Sequence, residues 1–144
     1  MCGAGMKSGM KALIGGAAVL LLCCACGVAD AATPGADGKE RTEVWEGKMY
    51  SSTFRAAMCV APNGRARGVL LLRRRSGEVD TYHFYGVEKD GVIAVAHGSG
   101  HKLEARHATP TTVQGSLRLA NGMKFSFDAT RSTAGRVSED CAPL

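Results

Sequence analysis

The chain has 144 residues, a single tryptophan, six cysteines and a net charge of +5, from 18 Lys plus Arg against 13 Asp plus Glu. That length holds one domain. The positive surplus is small and is not interleaved with aromatic residues, and there is no Gly-rich phosphate loop or paired-carboxylate motif, so nucleic-acid, nucleotide and glycosidase readings find no support.

The N-terminus carries Lys7 and Lys11, then runs apolar from Ala12 through Cys26 with no charge until Asp30. Basic, then greasy, then small residues is the order of a secretory signal, and the apolar run is too short for a spanning helix. Met6 and Met10 each open a better-proportioned leader than Met1. Two processing sites compete. Cys23-Cys24-Ala25-Cys26 reads as a degenerate lipobox that would place a lipid on Cys26, whereas Ala29-Asp30-Ala31 is a small-x-small site for an ordinary signal peptidase. Residues 1–31 are therefore expected to be a signal peptide or lipoprotein signal, and residues 32–42, polar and Gly-rich, a flexible tether. The expected destination is the bacterial periplasm, free or as a membrane-anchored lipoprotein, with the lipid anchor as the membrane contact.

Cysteine usage points the same way. Four cysteines lie in or beside the leader, leaving Cys59 and Cys141 in the body. An isolated pair in an oxidising compartment predicts a disulfide, and so long a loop would contribute roughly 4 kcal/mol in the chain-entropy model. The leader holds Lys7, Lys11 and Asp30, so the rest stays mildly basic, which suggests contact with anionic lipid, glycan or cell-wall polymer at most. Arg73-Arg74-Arg75 reads as the solvated end of a strand and its turn.

From Glu43 onward the pattern has period two, with turn residues about every eight to twelve positions. Strands are predicted near Glu43 to Tyr50, Thr53 to Val60, Arg67 to Arg74, Asp80 to Glu88, Val92 to His97, His101 to His107, Thr112 to Leu119 and Met123 to Arg131. Connections this short join neighbouring antiparallel strands, so residues 43–144 are an all-β meander, and eight strands closing into an up-and-down barrel would remove its exposed edges.

Register follows from the turns. A three-residue loop at Ala120-Asn121-Gly122 pairs Leu119 with Met123 and Leu117 with Phe125, keeping apolar residues on one face. The same loop at Gly98-Ser99-Gly100 pairs Val95 with Leu103 and Ile93 with Ala105. Applied also to Lys89-Asp90-Gly91, it pairs Val87 with Ile93 and Tyr85 with Val95.

That register sets His83, His97 and His101 in one inward row, three of the four histidines. Adjacent partners about 5 Å apart could reach a common point, and three imidazoles with an open fourth position are the ligand set of catalytic zinc. Half-buried histidines hydrogen-bonded at a barrel mouth are the bland alternative. His107 falls opposite Gly91, outside the row. Trp45, Tyr82, Phe84 and Tyr85 read as core or mouth residues.

Three functions remain open. The first is a non-enzymatic binding module whose interior, lined by Tyr85, Val95 and Leu103, takes a small ligand or a metal. The second is a protein-interaction or inhibitor lipoprotein acting on an envelope partner. In size, export and topology the chain is similar to the small periplasmic lysozyme-inhibitor barrels, although Ser99-Gly100-His101-Lys102-Leu103 lacks the tyrosine of their Ser-Gly-x-x-Tyr type of motif, so the analogy is one of architecture. The third is a zinc-dependent hydrolase built on the three histidines.

Overall fold

The computed structural model describes residues 38–144; the predicted leader and most of the tether lie outside them. Eight strands follow in order: β1 (Arg41–Met49), β2 (Ser52–Val60), β3 (Arg65–Arg73), β4 (Val79–Lys89), β5 (Val92–His97), β6 (Lys102–Thr109), β7 (Thr112–Arg118) and β8 (Lys124–Arg131). Each pairs antiparallel with the next, and β1 pairs with β8 from Trp45↔Arg131 to Met49↔Phe127. The sheet is a closed barrel. The predicted all-β, eight-stranded up-and-down barrel is the observed architecture.

The period-two pattern becomes an inside and an outside. Trp45, Met49, Phe54, Met58, Leu70, Phe84, Ile93, Val113, Leu117 and Phe127 meet in one buried core. Lys102, Glu104, Arg106, Gln114 and Lys124 stand exposed on the outer face, which is the sidedness of a barrel surrounded by water and the reverse of a lipid-embedded one. Phe54 and Phe127 meet edge to face, their centroids 5.4 Å apart, within the range of a favourable aromatic pair.

The turns fix the register. After β5 and β7 the three-residue loops form as the sequence predicts, with Gly100 and Gly122 both at φ 89, and His97 and Leu119 donate N–H bonds of 2.8 Å to His101 and Met123. The turn after β4 differs. Asp90 (φ 52) and Gly91 (φ 72) make a two-residue hairpin with Lys89 opposite Val92, the type in which both central residues take positive φ. Val87 therefore faces Ala94 and Tyr85 faces Ala96, one residue out of step with the predicted pairing. Gly86 is the inward residue where Val87 was expected: a Cβ there would collide with the Ala94 carbonyl oxygen and lie 2.7 Å from Val95 Cα.

β1 begins at Arg41, inside the stretch predicted as tether, because Arg41 pairs with Val60 and its guanidinium is held by acidic side chains. At the other end of the chain, residues 132–144 fold back over the outer face of β1 to β3. Val44, Ala57, Cys59 and Val69 point outward yet are buried beneath this tail. Cys59 and Cys141 form the predicted disulfide, across a sequence separation of 82, and Cys141 is 0% exposed. Ser132 N–H to Val44 O, Val69 N–H to Cys141 O and Arg55 Nη1 to Leu144 O fasten the tail further.

The double substitution Cys59→Ala with Cys141→Ala is expected to lower unfolding free energy by about 4 kcal/mol. Equilibrium denaturation measures it, and proteolysis should then cut first within residues 132–144.

Candidate functional site

The turns after β1, β3, β5 and β7 form one end of the barrel, here the mouth; the lower end carries the other turns, the start of β1 and the end of β8. Four half-buried apolar side chains, Leu72, Tyr82, Leu119 and Phe125, crown the core at the mouth. His97 and His101 join them. Their rings stack with centroids 5.9 Å apart and an interplanar angle of 23°, while Tyr82 meets His97 edge-on at 5.5 Å and His101 at 6.0 Å.

Both imidazoles are oriented by the turns that carry them. The Ser99 N–H donates to His97 Nδ1 at 3.2 Å, with Ser99 Oγ 2.6 Å from the same nitrogen, and the Ala120 N–H donates to His101 Nδ1 at 3.0 Å. A backbone N–H can only donate, so each Nδ1 is an acceptor and each neutral ring carries its proton on Nε2. Neither Nε2 has a hydrogen-bond partner among the described residues. The mouth thus presents two N–H donors beside an aromatic and aliphatic rim.

The expected three-histidine zinc site does not assemble. The one-residue difference after β4 puts Phe84 opposite His97 and sends His83 to the outer, exposed face. His97 and His101 remain together, but coordination through Nε2 would need a proton on Nδ1, where backbone donors already point. Tyr85 leaves the predicted ligand-lining set for the same reason: it stands outside, 64% exposed. Val95 and Leu103 do line the interior, opposite one another as predicted.

Below the mouth lies an apolar cavity of about 70 Å³, bordered by Trp45, Phe54, Met58, Leu70, Phe84 and Val95 among others. That is several times the space one buried water requires, yet the lining offers none of the two to four polar partners that would hold one. The space is suited to hydrocarbon.

The lower end is closed by charge. Glu43, 5% exposed, accepts from Trp45 Nε1 at 3.2 Å and pairs with Arg41 at 3.0 Å and Arg131 at 3.6 Å. Arg41 also donates to Glu88 at 2.6 Å, and His107 Nε2 lies 3.6 Å from Glu88 while its ring meets Trp45 edge-on. Glu43, Glu88 and His107 bring potential metal-ligand atoms within 4.8 Å of one another. Two guanidinium groups already balance the two carboxylates, so the cluster works as a plug across β1, β4, β6 and β8.

Sequence reasoning missed this plug. The available signal was an inward parity for Arg41, Glu43 and His107, which Glu88 joins once the Asp90-Gly91 turn is given two residues. At the turn after β3, Arg74 binds Asp80 at 2.6 Å and Glu78 at 3.3 Å; the Asp80 hydrogen bond and the two negative charges raise its guanidinium above the ordinary arginine pKa. One cation of the Arg73–Arg75 run is thereby committed to its own turn.

Two outcomes check this geometry. Long-range proton–nitrogen correlation spectra should show His97 and His101 as Nε2–H tautomers, with an unfolding midpoint unmoved by equimolar zinc. Glu43→Ala, which leaves Arg41 and Arg131 facing each other without their shared carboxylate, should cost about 3 kcal/mol by denaturant titration.

No protein-family model matches this chain, and no curated protein matches it. Among solved structures the barrel is similar to aphrodisin, a sex pheromone from female hamster, at 10% identity and a TM-score of 0.40, covering 72% of this chain and 78% of that one. A likeness at that level carries no argument about function.

Proposed function

We propose that the protein is a non-enzymatic binding module, exported from the cytoplasm, that takes a small, mainly apolar ligand into the barrel through its mouth. The supporting observation is the dry cavity of about 70 Å³ beneath a rim of half-buried Leu72, Tyr82, Leu119 and Phe125. Its size suits a few non-hydrogen atoms, so the ligand is a small molecule or the tip of an acyl or alkyl chain whose remainder occupies the mouth. The Nε2–H groups of His97 and His101 favour an acceptor on that outer part, a carboxylate or carbonyl oxygen. Export rests on the basic-then-apolar leader and on a disulfide suited to an oxidising compartment.

Trp45 borders the cavity and is the only tryptophan, so its emission reports occupancy directly. Titration with straight-chain carboxylates of increasing length should give a saturable change, with octanoate preferred to octanol. Ala105→Leu, which fills part of the cavity it lines, should weaken binding at least about tenfold, the scale of a methylene-sized change in an apolar pocket. Replacing His97 and His101 together by alanine should remove the preference for the carboxylate but keep chain binding. Absence of any saturable change, or equal affinity in the Ala105→Leu variant, defeats the reading.

A further inference from the structure

Lys102 opens β6, Arg118 closes β7 and Lys124 opens β8, and the three are directly opposite one another: Lys102↔Arg118 and Arg118↔Lys124. All three are exposed on the outer face, on the rung next to the mouth. Like charges in directly opposed pairs destabilise a sheet, yet none of the three forms an ion pair among the described residues. They border a shallow surface groove with Ser116 and with Glu104, whose carboxylate is the one negative group there.

A second, independent feature adjoins this row. Met49 pairs with Ser52, leaving a two-residue turn whose first member, Tyr50, sits at φ 55 and is 89% exposed. Positive φ at that position favours glycine, and a bulky residue is strained there. The backbone thus bears a strain that holds an aromatic ring out in solvent. Met123, next to Lys124 and 52% exposed, projects from the turn after β7, and Tyr50 lies 6.3 Å from the Phe125 ring. Apolar tips stand in front and a row of cations one rung behind.

We propose that the mouth end docks on an anionic lipid bilayer, with Tyr50 and Met123 entering the interface and Lys102, Arg118 and Lys124 meeting the headgroup phosphates. A tyrosine at headgroup depth and cations within a screening length of an anionic leaflet are the two contributions such a surface rewards. A soluble anionic polymer would use the cations and give the exposed Tyr50 and Met123 nothing to enter, so the bilayer is the occupant that accounts for both features. The orientation brings the barrel mouth to the membrane, but the docking itself does not depend on a ligand in the cavity.

The test is co-sedimentation of the ligand-free protein, with Ala105→Leu as background, using vesicles of phosphatidylcholine alone or mixed with phosphatidylglycerol. Binding should require phosphatidylglycerol and weaken as salt is added. The triple variant Lys102→Gln, Arg118→Gln, Lys124→Gln should partition about a hundredfold less, from roughly a fivefold factor per removed cation. Tyr50→Gly should bind several-fold less while unfolding a few degrees higher, since glycine relieves the turn; a gain in stability joined to a loss of binding excludes misfolding as the cause. Equal binding to neutral vesicles, an unaffected triple variant, tighter binding to soluble polyphosphate than to vesicles, or full displacement by inorganic phosphate would each overturn the proposal.

Discussion

Closure of β1 on β8 is the constraint from which the remaining features follow. The ladder from Trp45↔Arg131 to Met49↔Phe127 turns a meander into a tube, so inward side chains face a bounded volume and the first and last strands cover each other's edges over that span. The ends of that tube then need separate solutions. Below, Arg131 from β8 and Arg41 from β1 converge on Glu43, and Arg41 reaches on to Glu88 of β4. The Arg131–Glu43 pair spans the seam itself, so the last strand is tied to the first by side chains as well as by backbone. Above, the described residues form no such plug, and aromatic rings and two oriented imidazoles ring the opening.

The interior reflects the same division. Trp45 rests its indole N–H on Glu43 and its ring against His107, and so forms a floor between charge and hydrocarbon. Above it, Phe54 and Phe127 pack edge to face, and the space left over is too small for a large ligand and too apolar for water. At the opening, the two imidazoles are oriented by two turn backbones and keep their Nε2–H donors unpaired among the described residues. An opening with donors above a dry interior is chemically polarised, and any molecule that fits both parts must itself have a polar and an apolar end.

Much of this was legible in the sequence where turn chemistry spoke with one voice. Leu117 with Phe125, Leu119 with Met123 and Val95 with Leu103 follow from spacing, glycine position and apolar alternation, and the Cys59–Cys141 link from being the pair left outside the leader. β4 was harder because both of its faces look like an inner one: Tyr82 and Phe84 compete with His83, Tyr85 and Val87. A three-residue loop at Lys89-Asp90-Gly91 selects the second set, and the first continues into Gly86 and Glu88, which do not resemble core residues. Gly86 is inward because two backbones approach there, and Glu88 because Arg41 and His107 meet it. Arg41 is 47 residues away from Glu88, His107 is two strands on and the Ala94 backbone belongs to the neighbouring strand, all beyond the reach of a local pattern. The Asp90-Gly91 pair did carry the deciding local information, in its tolerance of two successive positive φ angles.

The tail across β1 to β3 has a bearing on when the protein is safe to be folded. Val44, Ala57 and Val69 form an oily flank that water never sees so long as Cys141 is tethered to Cys59. With both thiols reduced, the strap can lift and that flank becomes an adhesive strip on an otherwise well-behaved tube. The barrel is therefore self-sufficient in its interior but dependent on its surroundings for its exterior, and a reducing compartment would favour clumping of finished barrels over their accumulation as single molecules.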